Sequence, residues 1–232
     1  LKCDFCQNWE ISQSTIEEIN RNQTHTPSDI IDIALQREDN TGIAYTYNEP
    51  VIYYEFMLDV ARKANDEGLK NVMVTNGFIN PEPLDELLPY MDAFSVDLKG
   101  FTEEFYKKST SSQLEPVKQT LKKINDNGNF LEITNLLIPT LNDEQSQFEE
   151  MISWINDELG SETVLHISRY FPRYHSSIEP TSLEELMKFY QLARKKLDYV
   201  YLGNVASSEG TNTYCNNCGT LLVTRKGYYT DV

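Results

Sequence analysis

The chain has 232 residues, 40% of them hydrophobic and 24% charged, which is typical of a globular protein long enough for one barrel-sized domain. Its formal net charge of −16 argues against a nucleic acid or an anionic membrane as partner, because phosphate binding needs a cluster of basic residues. No apolar run approaches bilayer length and no signal-peptide pattern opens the chain, so we expect a soluble protein with no membrane partner. The paired cysteines described below favour a reducing compartment, and we expect the protein to be cytoplasmic.

Short apolar strands alternate with helical patterns through most of the chain. The first helix begins at Thr26-Pro27, with Thr26 as the N-cap and Pro27 at the first helical position, and fades at residues 38–40. Further helices are predicted at about residues 51–65, 83–88, 103–108, 115–127, 144–159 and 182–197. Strands are predicted at residues 42–46, 71–75, 93–97, 130–138, 164–168 and 199–202.

This alternation predicts an α/β protein with a parallel sheet. Polar residues follow the strands, which favours a partial (β/α)6 barrel of the TIM type. A doubly wound open sheet is the alternative, but no Gly-rich phosphate turn follows the first strand. We therefore assign residues 1–203 to a partial barrel and residues 204–232 to a tail, which contains a hairpin-like pattern at residues 221–223 and 227–229.

The cysteines form two Cys-x-x-Cys pairs, Cys3 with Cys6 and Cys215 with Cys218. This spacing suits a metal ion, a cluster or a redox dithiol in a reducing compartment, and it does not suit a secreted disulfide framework. Two thiolates cannot hold a [4Fe–4S] cluster, which takes three or four protein ligands. A zinc site that uses all four cysteines is conceivable, although the two pairs lie about two hundred residues apart.

Polar residues stand at the carboxyl ends of the predicted strands, where a βα-barrel builds its active site. Several of these residues also have an alternative interpretation. Glu49 could be a carboxylate in the first turn of a helix, and Asp97 and Lys99 a local ion pair. His166 could be a packed, hydrogen-bonded core histidine, and Asn76-Gly77 an ordinary turn. The residues are Thr46, Tyr47, Asn48 and Glu49, then Thr75, Asn76 and Gly77, then Asp97 and Lys99, then Asn135, and finally His166, Ser168 and Arg169.

The segment Cys3-Asp4-Phe5-Cys6, followed by Gln7-Asn8-Trp9, resembles the end of the Cys-x-x-x-Cys-x-aromatic-Cys motif of radical S-adenosylmethionine (SAM) enzymes. The first cysteine of that motif would lie two positions before Leu1. The later strand ends follow in the order expected of the pyruvate formate-lyase activating enzymes, and more closely of the radical enzyme of the AmmeMemoRadiSam system. These strand ends are Tyr47-Asn48-Glu49-Pro50, Val74-Thr75-Asn76-Gly77-Phe78, Val96-Asp97-Leu98-Lys99-Gly100 and His166-Ile167-Ser168-Arg169-Tyr170.

The resemblance implies an anaerobic, iron–sulfur oxidoreductase. A [4Fe–4S] cluster would reductively cleave SAM to a 5′-deoxyadenosyl radical, which abstracts hydrogen from a substrate such as a glycine of a partner protein. It implies flavodoxin or ferredoxin as an electron donor, and no catalytic side chain is assigned. Cys3 and Cys6 would be cluster ligands, Phe5 would lie beside the adenine of SAM, Asn48 and Glu49 would bind its ammonium, and Asn76, Asp97, Lys99 and His166 would contact its methionine and ribose groups.

The tail segment Cys215-Asn216-Asn217-Cys218-Gly219 resembles half of a zinc-ribbon knuckle. Zinc is the first choice for it, with iron, an auxiliary cluster or an inert dithiol as alternatives. The aromatic and basic run at residues 170–175 could line a peptide groove or form an ordinary surface loop.

Two other functions fit parts of the sequence. The chain could be a zinc-stabilised scaffold that binds a partner protein. It could also be a barrel glycosidase with Glu49 of Asn48-Glu49-Pro50 as the general acid, although that leaves both cysteine pairs unexplained.

Overall fold

The structure is a computed structural model that describes residues 1–15, 24–206, 209–227 and 229–232. Helices α1 to α8 span Trp9–Ser12, Pro27–Leu35, Tyr54–Asp66, Pro81–Leu87, Glu103–Phe105, Leu114–Asp126, Gln145–Leu159 and Leu183–Ala193. Strands β1 to β9 span Gly42–Tyr45, Lys70–Thr75, Ala93–Asp97, Phe130–Leu137, Val164–Arg169, Val200–Gly203, Thr213–Tyr214, Leu221–Lys226 and Tyr229–Asp231. Two 3₁₀ turns, Pro50–Tyr53 and Leu88–Tyr90, and a π-helical turn, Tyr106–Thr110, complete the described elements.

Strands β1 to β6 form a sheet in which each strand lies beside the next one in the chain. The pairs β1–β2, β2–β3, β4–β5 and β5–β6 are all parallel. Helices connect the successive strands, as parallel pairing requires, because a tight hairpin cannot join parallel neighbours. The predicted α/β class, with the sequential strand order of a partial (β/α)6 barrel, is confirmed.

The described residues form two compact units. The first unit comprises Leu1–Phe5, Asp97–Glu115 and Glu132–Val232, and the second comprises Cys6–Val96 and Pro116–Leu131. In the core of the first unit, the ring of Phe148 meets that of Phe189 edge-on, with 4.7 Å between the centroids. The predicted boundary between barrel and tail at residue 203 stays a prediction.

The start of α2 shows the local interactions expected from its sequence. Thr26 Oγ1 accepts a hydrogen bond from the backbone of Asp29, and the Asp29 carboxylate accepts one from the Thr26 backbone, which together form a capping box. These bonds lower the pKa of Asp29 below its ordinary value. The predicted N-cap Thr26 is confirmed.

Helix starts elsewhere differ from the prediction in detail. The helix expected from residue 51 begins with the 3₁₀ turn Pro50–Tyr53, and α3 follows from Tyr54. Glu49 accepts a hydrogen bond from the Val51 amide and is the N-cap of that turn, one position before the first turn in which the alternative interpretation placed this carboxylate. The short helix α1, directly after the cysteine pair, was not predicted.

In the tail, β7, β8 and β9 form an antiparallel sheet. The Cys215 amide donates to Thr220 O at 2.7 Å, and the Gly219 amide donates to Cys215 O at 2.8 Å, so the backbone folds tightly around the second cysteine pair. Tyr228 of the expected hairpin lies outside the described residues. Among the residues that the structure describes, none of the helices is both long enough and apolar enough to cross a membrane.

Candidate active site

The segment that carries Cys3 is buried and held at several points within the first unit. Cys3 is 9% exposed and Phe5 3% exposed. The Lys2 amide donates to Thr110 O at 3.0 Å, and the Phe5 ring stacks on Phe105 with 6.2 Å between the centroids. The π-helical turn and the residue before it therefore fix the backbone on both sides of Cys3.

A loop from a distant part of the sequence also contacts this segment. The amide of His175, in the loop after β5, donates to Asp4 O at 3.2 Å. Within that loop, the buried Tyr170 donates its hydroxyl to Ser176 Oγ at 2.7 Å. Part of the aromatic and basic run at residues 170–175 thus packs against the first cysteine segment, and its proposed role in a peptide groove stays a prediction.

Asp97 and Lys99 form an ion pair at the end of β3. Lys99 Nζ lies 2.8 Å from Asp97 Oδ2, and the Lys99 side chain is 19% exposed. Burial alone would lower the pKa of Lys99, but the negative charges of Asp97 and Cys3 raise it above its ordinary value. The local ion pair is therefore observed, and it lies close enough to Cys3 to interact with its thiolate electrostatically.

His166 lies in β5 and packs against neighbouring strands of the first unit. Its ring stacks on that of Tyr201, with 5.5 Å between the centroids and 30° between the planes. Its Nε2 lies 3.3 Å from Glu132 Oε2, without the geometry of a hydrogen bond. The histidine ring is thus packed, but it is half-buried and its Nε2 has no hydrogen-bond partner among the described residues, so the alternative of a hydrogen-bonded core histidine is only partly met. Its contact with a ribose stays a prediction.

In the second unit, Glu49 bridges the ends of two strands. Its Oε1 accepts from Thr75 Oγ1 at 2.7 Å and from the Val51 amide at 3.4 Å, and its Oε2 accepts from the Asn76 amide at 2.8 Å. A carboxylate offers about four acceptor positions, so this arrangement leaves capacity for one further donor. Glu49 can therefore hold the strand ends and still receive an ammonium group.

The second unit also contains the candidate residues Asn48, Asn76 and Cys6. Asn48 is half-buried, and Asn76 Oδ1 accepts from the Phe78 amide at 2.9 Å, a local turn that fits the interpretation of Asn76-Gly77 as a turn. Cys6 is half-buried and its Sγ lies 3.3 Å from Ser12 Oγ. The Ser12 contact comes from α1, which the sequence pattern did not predict.

Two residues near the site were missed at the sequence level. Tyr106 Oη accepts from the Lys99 amide at 3.1 Å, and Asn142 Nδ2 donates to Lys99 O at 2.7 Å. Tyr106 lies 7 residues and Asn142 43 residues after Lys99, and neither stands in a motif. Their burial beside Lys99 could be found only from the fold.

The donor set is consistent in type with an iron–sulfur cluster and an amino-acid ligand. Thiolates bind such clusters, while carboxylates and an ammonium can pair with the charged groups of an amino acid. Two thiolates are too few for a [4Fe–4S] cluster, and the third is expected upstream of Leu1. In the described part of the chain, no group of three or more His, Cys, Asp or Glu side chains is placed to hold a metal ion.

Comparison with known families decides between the possible interpretations. The model of the Radical SAM superfamily matches residues 1–155, which is more than half of the chain. The chain belongs to the radical SAM superfamily. The matched residues include Glu49. The comparison therefore supports the radical SAM interpretation and not the glycosidase alternative.

Relatives within the radical SAM superfamily differ in how much of their length the chain spans. An uncharacterised protein of Methanocaldococcus jannaschii is 46% identical over 227 residues, which cover 97% of this chain and 67% of that protein. The 4-hydroxyphenylacetate decarboxylase activating enzyme of Clostridium scatologenes is 26% identical over 118 residues, which cover 50% of this chain and 38% of that enzyme. The chain therefore spans well under half the length of that activating enzyme.

Solved structures show the same fold. A domain of the pyruvate-formate lyase-activating enzyme from Bacteroides vulgatus superposes with a TM-score of 0.62 and 16% sequence identity, and covers 70% of this chain and 99% of that domain. The predicted resemblance to the activating enzymes is confirmed together with the fold. The finer resemblance to the AmmeMemoRadiSam enzymes and the roles of the individual site residues stay predictions.

Proposed function

We propose that this chain carries the catalytic barrel of a radical SAM enzyme. Cys3, Cys6 and a third cysteine upstream would hold a [4Fe–4S] cluster, which when bound would supply the electron for reductive cleavage of SAM to methionine and a 5′-deoxyadenosyl radical. The observation that carries the proposal is the half-buried Lys99 side chain, which pairs with Asp97 and whose pKa is raised by the negative charges of Asp97 and Cys3. It supports one site in which a thiolate ligand and a SAM-binding side chain are neighbours.

The remaining site residues bind and orient SAM in this proposal. Lys99 pairs with the carboxylate of SAM, and Glu49 uses its remaining acceptor capacity for the ammonium, with Asn48 beside it in the chain. Asn76, Asp97 and His166 contact the methionine and ribose groups, and Phe5 lies beside the adenine. Burial of Cys3 and Phe5 keeps water away from this part of the site.

Binding of radiolabelled SAM to the anaerobically reconstituted protein tests the proposal. We expect one SAM per chain, and we expect Lys99→Met to weaken binding at least about tenfold, because a buried charge-assisted contact is lost. Lys70→Met is the matched control, because the Lys70–Asp92 ion pair is also short but Lys70 is 68% exposed. A wild-type protein that binds no SAM, or equal effects of the two variants, would overturn the assignment.

For the substrate, we propose a glycine of a partner protein as the hydrogen donor, with flavodoxin or ferredoxin as the source of the electron. The support is the similarity to an enzyme named as the activating enzyme of 4-hydroxyphenylacetate decarboxylase. The test is electron paramagnetic resonance of candidate partner enzymes after incubation with this protein, SAM and reductant. A protein-centred glycyl radical is expected, and SAM cleavage without any such radical would contradict this substrate.

For the tail, we propose that Cys215 and Cys218 supply half of a zinc site. Hydrogen bonds from Thr220 and the neighbouring Cys215 lower the pKa of Cys218, which favours the thiolate that a metal needs. Zinc content measured in the wild type and in a Cys215→Ser/Cys218→Ser variant tests this. Equal zinc in both proteins would reject the site.

A further inference from the structure

The backbone at the end of β3 is held by three buried side chains. Leu98 O accepts from Asn135 Nδ2 at 2.8 Å, Lys99 O accepts from Asn142 Nδ2 at 2.7 Å, and the Lys99 amide donates to Tyr106 Oη at 3.1 Å. Tyr106 is 0% exposed, Asn135 2% and Asn142 8%. A buried polar side chain is costly unless it is hydrogen-bonded. All three side chains form a hydrogen bond with the same short stretch of backbone, residues 98–99.

The two asparagines hold the backbone of two consecutive residues, Asn135 that of Leu98 and Asn142 that of Lys99. Asn142 Oδ1 accepts from the Ile138 amide at 2.7 Å, and its Nδ2 donates to both Lys99 O and Leu136 O. Among the described residues, Asn135 Oδ1 has no hydrogen-bond partner, so donation to Leu98 O is its main compensation for burial. Both asparagines therefore fix the backbone of Leu98 and Lys99 within the first unit.

Tyr106 has a second set of contacts that the asparagines lack. Its carbonyl oxygen accepts from Thr110 Oγ1 at 2.7 Å, and Thr110 O in turn accepts from the Lys2 amide at 3.0 Å. The preceding residue, Phe105, stacks on Phe5. The π-helical turn that begins at Tyr106 and the residue before it thus contact Lys2 and Phe5, which flank Cys3 in the sequence. Such turns are often found at functional sites.

We propose that Tyr106 is a positioning residue that holds the Lys99 backbone in a fixed place relative to the Cys3 segment. The inference rests on the proposed function, in which Lys99 binds SAM and Cys3 binds the cluster. In this proposal Tyr106 acts through Lys99 and through the π-helical turn, and it contacts neither SAM nor the cluster itself. Without this link, the cation and the thiolate would be carried by two segments that can shift independently.

The physical basis is the Lys99 amide, whose acceptor is the hydroxyl of the fully buried Tyr106. Burial raises the pKa of the Tyr106 phenol above its ordinary value, so its oxygen stays a neutral hydroxyl that can accept this hydrogen bond. Tyr106→Phe keeps the ring and its edge-on contact with Phe105, and it removes only the acceptor. The Lys99 amide would then be left unsatisfied, and the strand end would shift to find another partner.

Hydrogen exchange tests the link without any cofactor. In Tyr106→Phe we expect the peptide that contains Lys99 to exchange its amide hydrogens faster than in the wild type. Tyr45→Phe is the matched control, because Tyr45 is 5% exposed and also loses one hydroxyl bond, to Asn71 Oδ1 at 2.8 Å. It should leave the Lys99 peptide unchanged. Unchanged exchange in Tyr106→Phe would overturn the proposal.

A double-mutant cycle on SAM affinity tests the functional part. We expect Tyr106→Phe to raise the Kd for SAM about fivefold in the reconstituted protein, and Tyr45→Phe to leave it unchanged. In the Lys99→Met background the effect of Tyr106→Phe should disappear, since Tyr106 acts through Lys99. Purely additive effects would overturn the inference. A Lys99→Met protein that binds SAM as well as the wild type would instead contradict the proposed function.

Discussion

Tyr201 stacks on His166, with 5.5 Å between the ring centroids. The two residues are cross-strand neighbours in the parallel pair β5–β6. Tyr201 also contacts the tail, because the guanidinium of Arg225 lies 5.2 Å from its ring centroid and its hydroxyl lies 2.8 Å from Thr213 Oγ1. Tyr201 thus joins the strand that carries His166 to the C-terminal residues.

Replacement of this residue, Tyr201→Leu, should destabilise the protein by about 1–3 kcal/mol, because it removes the ring stack, the cation–π contact and the hydroxyl bond together. The free energy of unfolding from urea denaturation measures the loss. Tyr214→Leu is the control, since Tyr214 is 49% exposed and should change stability by less than about 0.5 kcal/mol. Equal losses in the two variants would show that the stack contributes nothing.

The raised pKa of Lys99 predicts a specific pH dependence of stability. A lysine whose pKa is higher in the folded than in the unfolded protein stabilises the fold fully below the unfolded value of about 10.4. That contribution is lost as the pH rises through the folded-state pKa. We therefore expect the difference in unfolding free energy between the wild type and Lys99→Met to be constant from about pH 6 to 9 and to fall only at higher pH. If the difference in unfolding free energy already decreases as the pH rises from 6 to 9, that result would contradict the ion pair with Asp97.

Glu49→Gln should have two separable effects. The amide keeps the size of the side chain but accepts fewer hydrogen bonds from Thr75 and the Asn76 amide, so we expect a loss of about 2 kcal/mol in unfolding free energy. We also expect SAM affinity to fall at least about tenfold, because the negative charge opposite the SAM ammonium is gone. Glu55→Gln, at an exposed position in the first turn of α3, should change neither quantity. Lower stability with unchanged SAM affinity would leave Glu49 a structural residue only.

Local signals in the sequence predicted much of the fold. The Thr26-Pro27-Ser28-Asp29 segment defines the start of α2 through contacts within four residues, and the strand predicted at 130–138 differs from β4 by one residue. The π-helical turn Tyr106–Thr110 was expected as an ordinary helix at 103–108. Its geometry depends on tertiary contacts with Lys99 and Lys2, which no local pattern encodes.

The positions of the candidate residues could be predicted where they lie close to the end of a strand. Asn76, Asp97 and Lys99 lie at or within two residues of the ends of β2 and β3, and Glu49 lies in the loop after β1, as the alternation of strands and helices indicated. Asn135 was expected at the same edge, but it lies within β4 and is buried against Leu98 and Met151. One step along a strand reverses the face on which a side chain lies, so small errors in a strand end decide whether a residue faces the site.

The most direct test is the amount of 5′-deoxyadenosine formed from SAM and dithionite by anaerobically reconstituted protein that includes the residues upstream of Leu1. The account predicts product from the wild type, and none from Cys3→Ala or Cys6→Ala, because each variant removes a ligand of the cluster that supplies the electron. Product that persists in both variants, or a wild-type protein that binds zinc and leaves SAM intact, would contradict it.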